Sequence, residues 1–568
     1  MRYFRFFIFL LLLVSFPLVA IASDDNCGDA DATTWCFDEE DGEDGITLNG
    51  NSFCGGACEG GDDITIMATR VSVFTIDNMV GSDGNPIVIH NPTDAKVTIT
   101  GGGSSTTNPY CIRIDDSQYV KLSGASYGSE TYGFRLYNGY RGIWMYESSD
   151  IEIENIEIDT TYLIGITLSD GAWTSANTFQ DIQIHDNFIH HAGTESMYLG
   201  HSTPAGDFPQ FDNLDVYDNI VEDSGADGIQ IGQVKSTGST LTGNIVRRSH
   251  TAQNNRYHYH GIVLTREVSN LTISKNIINR VYDMASGDYA GEGGHGIYIE
   301  SDSTGVVVEN NVIIDAEGNG IVEFNAGESN TIRNNTIISS GDYGISTLSD
   351  TTNIHYNLLV ECSVGCNSSV AGGNDCDETN NNRTSASIAG EYFAGAGNEN
   401  YSLTYQSPAI NDSDDSAGYS TTDYNGDTRP YGSSDPDPGA YEFTFKAADV
   451  SPPDDSTGNS TTVDLTWQNP ETTTGVYVYF DKTTNPPTTE VVSGDLVETY
   501  DPGTLDDVGE YFFKINLVHA DGTETGDVYS FTTTEGPPAP PAGLAVGVCH
   551  SLGMTGVYDD QGATVVGE

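Results

Sequence analysis

Four segments of this chain each place an acidic or imidazole side chain directly before a small residue and an apolar one. The four residues are Glu195, Asp227, His260 and His295. When two carboxylates lie close together, their like charges raise the pKa of one, so that one can act as an acid while the other acts as a base. Imidazoles can also act as acid or base, because they titrate near neutral pH. The set is a candidate catalytic site, provided that the fold brings these residues together.

A repeated pattern supplies that geometry. It reads as Asn, an apolar strand-like stretch, a turn, then any residue followed by Gly and Ile, as in NIVEDSGADGIQI from residue 219. The pattern predicts stacked coils of short β-strands. Successive asparagines are 32, 32, 25, 32, 35, 24 and 22 residues apart. The shortest spacing fits one coil of a right-handed parallel β-helix, and longer units must project loops. The asparagines are Asn155, Asn187, Asn219, Asn244, Asn276, Asn311, Asn335 and Asn357.

Aligning the repeats on the Gly step defines what we term the pre-glycine column. Neighbouring coils of a parallel sheet lie about 4.8 Å apart, so Glu195, Asp227, His260 and His295 are predicted to form one row. A conformational explanation stands beside this one, because Asn, Asp and His tolerate unusual backbone angles before a turn. The column contains Arg141, Ile164, Glu195, Asp227, His260, His295, Asn319 and Tyr343.

Loops and outward-facing side chains are predicted to line a groove beside this column. Long insertions precede His260 and His295, and loops on a rigid scaffold often form binding surfaces. Tyr198, Gln230 and Tyr298 follow column members by three residues and are predicted to contact substrate. The insertions add Arg256, Tyr257, His258, Tyr259, Tyr282 and Tyr289, which suit sugar stacking and hydrogen bonding.

The net charge of -62 makes nucleic acid an improbable partner, because phosphates would be repelled over most of the surface. Seven of the 21 basic residues nevertheless lie between residues 235 and 280, which favours focused binding of an anionic ligand. Ion pairing with surrounding acids is the alternative. Arg248 and Arg280 occupy equivalent repeat positions. The arginines predicted to bind substrate are Arg248, Arg256, Arg266 and Arg280.

The chain divides into five predicted regions. Residues 1–22 have the basic start, apolar run and small-residue cleavage site of a secretory signal peptide, and no other run is long enough to span a membrane. The protein is therefore expected to be secreted, with cell-surface attachment through its C-terminal region as one option. The later regions are a Cys- and acid-rich segment (23–62), the β-helix (63–445), a β-sandwich (449–535) and a Pro-rich linker with a short tail (536–568).

Nine cysteines in an exported chain point to disulfides. One group lies near the mature N-terminus and includes Cys54 and Cys58, and a second includes Cys362, Cys366 and Cys376. Bridges could hold the two ends of the solenoid. Zinc binding through Cys54 and Cys58 is a weaker interpretation.

Residues 63–445 resemble the right-handed parallel β-helix superfamily of pectate-lyase-like proteins, which includes polysaccharide lyases, glycoside hydrolases and uronate epimerases. The sequences SPAIND, DYNGDTRPYG and DPGAYEF between residues 407 and 443 resemble the end motif of bacterial β-helix proteins. Residues 449–535 resemble a fibronectin type III module. The resemblance implies an all-β fold. It assigns no catalytic residue, because the family signatures of hydrolases, epimerases and lyases are absent in their usual form.

Three functions fit these observations. The first is β-elimination in a uronate-containing polysaccharide, with His260 or His295 as the base and with Arg248, Arg280 or a bound Ca²⁺ neutralising the uronate carboxylate. The second is glycoside hydrolysis by Glu195 and Asp227, whose predicted separation of ~5 Å resembles the retaining geometry. The third is a non-catalytic surface or adhesion protein that binds glycans.

Overall fold

The computed structural model describes most of the chain between residues 34 and 558. The described ranges are 34–37, 46–67, 70–71, 73–104, 109–124, 131–169, 174, 177–202, 208–252, 258–283, 293–300, 302–324, 329–349, 351–368, 392–395, 400–404, 407–413, 418–430, 435–470, 473–519, 522–534, 545–548 and 555–558. The signal peptide, Cys27, Cys376 and Cys549 lie outside the described residues. The chain forms two compact units that divide after Phe443.

Three long parallel sheets form the first unit. Each complete coil runs through one strand of sheet 1, one of sheet 3 and one of sheet 2, as the strands Ser149–Glu154, Ile156–Thr161 and Ile164–Ser169 illustrate. Every strand pairs in parallel with its counterpart in the next coil. The predicted all-β fold with a right-handed parallel β-helix is confirmed by this architecture.

Within each sheet, neighbouring strands come from successive coils and are therefore in chain order. Sheet 1 contains Thr34–Phe37, Asp63–Ile66, Ile87–His90, Gln118–Ser123, Ser149–Glu154, Thr178–His185, Gln210–Tyr217, Thr240–Thr242, Thr272–Ser274, Val307–Glu309, Thr331–Arg333 and Asn353–His355. Sheet 2 contains Ile46–Asn49, Phe74–Asp77, Ile112–Asp115, Arg141–Tyr146, Ile164–Ser169, Met197–Leu199, Ile229–Ile231, His260–Leu264, His295–Ile299, Ile321–Glu323, Tyr343–Thr347 and Val364–Ser368. Sheet 3 contains Arg70–Val71, Val97–Thr100, Phe134–Tyr137, Ile156–Thr161, Phe188–Ala192, Ile220–Glu222, Ile245–Ser249, Ile277–Val281, Val312–Ala316, Thr336–Ile338 and Leu358–Val360.

Inward-facing aliphatic side chains fill the space between the sheets. The repeat requires its isoleucines to stack in one core, and they do so. Ile229 pairs with Ile262, which pairs with Ile297, and all three are fully buried. The predicted stack of Ile143, Ile229, Ile262, Ile297 and Ile321 is confirmed within a single buried cluster.

A ladder of buried asparagines lies at the turn between sheets 1 and 3. The Nδ2 atom of Asn219 donates to Oδ1 of Asn244 at 2.9 Å, and Asn244 donates in the same way to Asn276 at 3.0 Å. The ladder runs from Asn187 to Asn357. The spacing of the repeat wrongly predicts that Asn155 belongs to this ladder. Ile156 occupies that place instead, and its backbone N–H donates to Oδ1 of Asn187.

The segment from 392 to 443, which contains the predicted end motif, packs against the outer face of sheet 3. Its apolar side chains cover Ile314, Ile338 and Val360. Polar contacts fix it to the solenoid turns, including a hydrogen bond from the Asn310 side chain to the Ser420 hydroxyl. The segment therefore covers the side of the last coils. Its hairpin strands are Phe393–Gly395 and Asn400–Leu403.

The second unit contains two small sheets around a shared core that includes Trp467 and Phe513. The fibronectin type III resemblance of this unit remains a prediction. One sheet contains Ala448–Ser451, Leu465–Gln468 and Thr499–Tyr500. The other contains Ser456–Asn459, Gly475–Asp481, Glu490–Asp495, Glu510–His519, Gly522–Glu524 and Val528–Thr533. Ala545–Val548 and Thr555–Tyr558 form a separate hairpin.

Cys54 and Cys58 are joined by a disulfide, so they are not available as zinc ligands. Cys362 carries a free, buried thiol and does not bridge the ends of the solenoid. Within the described residues, no helix combines the length and apolarity needed to cross a membrane.

Candidate functional site

The pre-glycine column lies at the start of the sheet 2 strands. Arg141 pairs with Ile164 and His260 pairs with His295, as the repeat alignment requires. Glu195 and Asp227 precede the paired strands Met197–Leu199 and Ile229–Ile231 and occupy the two coils between these pairs. The structure thus brings Glu195, Asp227, His260 and His295 together on four successive coils.

Glu195, Asp227 and His258 form a compact cluster at one end of this row. The Nδ1 atom of His258 lies 3.0 Å from Oδ2 of Asp227 and 3.1 Å from Oε1 of Glu195. The backbone N–H of His260 donates to Oδ1 of Asp227 at 2.8 Å. Asp227 is therefore fully buried with both carboxylate oxygens engaged, whereas the His258 side chain retains 26% exposure.

The electrostatics of this cluster couple its carboxylates to the imidazole. Burial raises the pKa of Asp227 to about 6, although the hydrogen bond and charge of His258 oppose the rise. Burial alone would lower the pKa of His258, but the hydrogen bond with Asp227 and the charges of Asp227 and Glu195 raise it overall. The charge of His258 and the charge of Asp227 therefore stabilise each other, which opposes the effect of burial on both groups.

His260, His295 and Tyr298 stack next to the cluster. The Tyr298 ring lies 4.4 Å from the His260 ring and 5.7 Å from the His295 ring, centroid to centroid, with nearly parallel planes. Burial, together with the neighbouring histidines, lowers the pKa of His260 well below its ordinary value, so this imidazole is neutral. Burial also raises the pKa of Tyr298, whose phenol therefore keeps its proton.

The hydrogen bonds of His295 define its tautomer. Its Nδ1 atom accepts from the backbone N–H of Asn319 at 3.1 Å, so a neutral His295 ring carries its proton on Nε2. The side-chain amide nitrogen of Asn319 also lies 3.2 Å from this Nδ1 atom. In His260, by contrast, Nδ1 is buried and has no hydrogen-bond partner among the described residues.

The flanking side chains predicted to contact substrate lie in one row on the outer face of sheet 2. Tyr198 pairs with Gln230, which pairs with Val263, which pairs with Tyr298. The Tyr198 hydroxyl is 3.0 Å from the Ser202 hydroxyl. Gln230 is buried, and its Oε1 atom lacks a partner within the described part of the chain.

The arginines predicted to bind substrate lie in two different parts of the β-helix. Arg248 and Arg280 lie at the end of sheet 3 and not in the row of sheet 2. Arg248 binds Asp223 through two hydrogen bonds of 2.7 and 2.8 Å, and Arg280 is 3.8 Å from Asp315. Arg266 follows a sheet 2 strand, is 3.7 Å from Glu300, and its charge acts on the pKa values of Glu300 and Tyr298. Arg256, Tyr257 and Tyr289 lie outside the described residues.

The cluster of Glu195, Asp227 and His258 has the donor atoms of a divalent metal site. One ligand atom from each residue lies within 4.8 Å of the others. Two carboxylates and an imidazole suit a zinc-like ion better than Ca²⁺, which prefers six to eight oxygen ligands. The three side chains also satisfy one another without a metal. The Ca²⁺ ion considered in the sequence analysis was given no ligands and remains a prediction.

His258 is the site residue whose role the sequence did not reveal. The repeat alignment covers only the coils, and His258 lies at the end of a loop insertion, where it was predicted only as a sugar-contacting residue. The signal that could have found it is the spacing His258-x-His260. Residues two apart in an extended segment face the same side, so His258 lies on the face of the pre-glycine column.

Comparison with known proteins supports the fold. The family model described as "Right handed beta helix region" matches residues 180–364. A search of curated protein sequences finds no match.

Three solved structures are similar to this chain. They are an alginate lyase from Paenibacillus sp. str. FPU-7 (14% identity, covering 58% of this chain and 96% of that chain, TM-score 0.30), the periplasmic alginate epimerase AlgG (13%, 58% and 78%, TM-score 0.35), and the PL6 family polysaccharide lyase Pedsa3628 from Pseudopedobacter saltans (14%, 61% and 98%, TM-score 0.34). Similarity at this level concerns the fold and carries no assignment of activity.

Proposed function

We propose that this protein is a secreted polysaccharide lyase that cleaves a uronate-containing glycan by β-elimination. The observation that carries the proposal is the partly exposed imidazole of His258, held by two buried carboxylates beside a row of histidine and tyrosine side chains. Elimination requires a base for the proton on the carbon next to the uronate carboxyl. It also requires a donor for the departing sugar oxygen and a positive group facing the carboxylate.

His258 is the best-placed base. Asp227 accepts the Nδ1 proton, which fixes the tautomer and leaves Nε2 to take a proton from substrate. Glu195 and Asp227 then act as positioning residues. His260 and His295 are 3% and 5% exposed, so neither imidazole is as accessible as that of His258.

The remaining roles fall to residues along the same face. The Tyr298 phenol keeps its proton because its pKa is raised, which suits it to protonate the departing oxygen. The Nε2–H of His295 can donate to the substrate. Arg266 is the proposed cation for the uronate carboxylate. Arg248 is less suited to this role because it lies on sheet 3 and is bound more closely, at 3.0 Å by Glu222 and 2.7 Å by Asp223. The acidic neighbours of Arg266 are 3.4 and 3.7 Å away.

The burial of Asp227 argues against glycoside hydrolysis. A retaining hydrolase needs one carboxylate to reach the anomeric carbon. Asp227 is 0% exposed and both of its oxygens already accept hydrogen bonds, while His258 lies against both carboxylates. Glu195 without an accessible carboxylate partner does not provide the required pair.

The test is a screen of neutral and uronate-containing polysaccharides, following ultraviolet absorbance and reducing ends in parallel. We expect both signals to rise with at least one uronate polymer and neither to rise with neutral glucans. Reducing ends without absorbance would indicate the hydrolase. Glycan binding without cleavage would indicate the non-catalytic alternative. Export, and any attachment to the cell surface, is part of the proposal and is tested by locating the mature protein in cultures.

A further inference from the structure

A second cluster of metal-ligating side chains lies on sheet 3, apart from the groove residues. It contains His190 and His191 from the strand Phe188–Ala192 and Asp159 from the preceding coil. The two Nδ1 atoms are 2.8 Å apart, and Oδ1 of Asp159 is 3.5 Å from one and 3.7 Å from the other.

The backbone explains how two consecutive histidines face the same way. In a regular strand they would point to opposite sides of the sheet. His191 has a φ of 56°, and this left-handed residue interrupts the alternation. As a result Ile189 and Ala192 face the core, whereas both His190 and His191 face outward. The equivalent residues of the adjacent coils, Thr160 and Asp223, are left-handed as well, so this conformation is a feature of the coil that His191 occupies.

The surrounding residues orient the ligand atoms as in a metal site. Nε2 of His190 is 3.3 Å from Oε1 of Glu157, which places the His190 proton on Nε2 and the lone pair on Nδ1. The His190 ring is held by stacking on Phe188 at 4.2 Å. Arg135 binds Oδ2 of Asp159, while Oδ1 accepts a hydrogen bond from the Thr160 hydroxyl at 2.8 Å and keeps a second lone pair for a ligand beside the histidines. These contacts restrict the rotation of His190 and Asp159.

The distances match a small transition metal. Zinc bound to nitrogen and oxygen at about 2.0–2.1 Å in a tetrahedron has neighbouring ligand atoms ~3.3 Å apart. The observed separations of 2.8, 3.5 and 3.7 Å bracket that value. His191 is 57% exposed, so the fourth position is open to water.

We propose that Asp159, His190 and His191 bind a divalent transition metal ion of the zinc type. The donor set of two imidazoles and one carboxylate disfavours Ca²⁺ and Mg²⁺, which prefer oxygen ligands. Because the ligands come from two adjacent coils, the bound ion links the strand Ile156–Thr161 to the strand Phe188–Ala192. This site is independent of the function proposed for the groove.

The test is titration of the metal-stripped full chain with Co²⁺, a spectroscopic substitute for Zn²⁺, in excess Mg²⁺ so that acidic surface groups are already occupied. We expect tetrahedral cobalt absorption bands that are displaced by Zn²⁺. These bands should be lost in the variant with His190→Gln and His191→Asn, and retained in His258→Gln. Asn preserves the left-handed backbone at position 191, and circular dichroism reports whether each variant is folded.

A second measurement separates binding from folding. Zn²⁺ should raise the thermal unfolding temperature of the wild type and His258→Gln, but not that of His191→Asn alone, because a ligand that binds only the native state stabilises it. Three results would overturn the proposal: no cobalt bands in the wild type, equal bands in the double variant, or bands that disappear only in His258→Gln.

Discussion

The Nδ1 atom of His258 lies 3.0 Å from Oδ2 of Asp227, so a loop histidine is bound to a buried carboxylate of the preceding coil. The same carboxylate accepts the backbone N–H of His260 at 2.8 Å. One side chain thus holds both the loop and the strand that follows it. This pairing is the centre of the proposed mechanism.

Asp227→Asn tests whether this pairing orients the base. The amide cannot accept the His258 proton as a carboxylate does, so we expect kcat on a uronate polymer to fall by about 10²–10⁴-fold with circular dichroism unchanged. Asp186→Asn is the matched control, because Asp186 also bonds a histidine, His185, but does so on sheet 1. Similar losses in both variants would argue for a structural role.

The pH dependence of the reaction follows from the same pair. His258 must lose its proton to act as the base, and its pKa is raised above the ordinary 6.5. We therefore expect kcat/KM to increase with pH through an apparent pKa above 6.5. In Asp227→Asn the residual activity should titrate at lower pH, because the group that raises the pKa is gone. An unchanged midpoint in that variant would contradict the assignment.

Comparison of two arginines tests how an anionic substrate is bound. Arg266→Gln should weaken binding of a uronate polymer much more than binding of a neutral glycan, and this selectivity should shrink as salt screens the charges. Arg248→Gln is the comparison, because that guanidinium is already bound to Asp223 and Glu222. Isothermal titration calorimetry at two salt concentrations measures the affinity of each variant for the charged and the neutral glycan. A larger loss of uronate binding in Arg248→Gln would show that the anion-binding surface is on sheet 3.

The sequence predicted the parts of the molecule that obey the repeat. The aligned repeats place their Gly step, or Ser196 in its position, at the same point of sheet 2, so the alignment placed Glu195 beside Asp227 and His260 beside His295. The alignment assigned Asn155 to the asparagine ladder, but the ladder position in that coil is one residue later, at Ile156, which has no side-chain amide. Repeat periodicity alone cannot distinguish such neighbours.

Residues outside the repeat could not be placed in this way. His258 lies beside the carboxylates of Glu195 and Asp227, at a position outside the part of the coil that the repeat alignment covers. The clustered bases suggested a free cationic strip, but Arg248 and Arg266 both lie within reach of carboxylates from other coils. The segment that resembles an end motif covers the outer face of sheet 3 with its apolar side chains, and its sequence did not predict which face it would cover. Each outcome depends on contacts between coils and loops that spacing does not encode.

The asparagine ladder gives a prediction for stability. Oδ1 of Asn244 accepts from both the backbone N–H and the side-chain amide of Asn219. Asn244→Ala leaves the buried backbone N–H of Asn219 unpaired, whereas the side-chain amide of Asn219 still donates to the carbonyls of Ile184 and Tyr217. We expect the substitution to lower the free energy of unfolding by about 1–3 kcal/mol. Urea unfolding measures the change, with the exposed Asn51→Ala as control. A loss no larger than that of the control would show that the ladder is not stabilising.

The most direct test counts the two ends produced by each cleavage in the wild type and in His258→Gln. Elimination creates one unsaturated, ultraviolet-absorbing end for every new reducing end. We predict a ratio of one to one on a uronate polymer for the wild type, and loss of both products in His258→Gln. His185→Gln, which removes a similarly paired histidine from sheet 1, should retain wild-type activity. Reducing ends without unsaturation, or undiminished elimination by His258→Gln, would contradict the account.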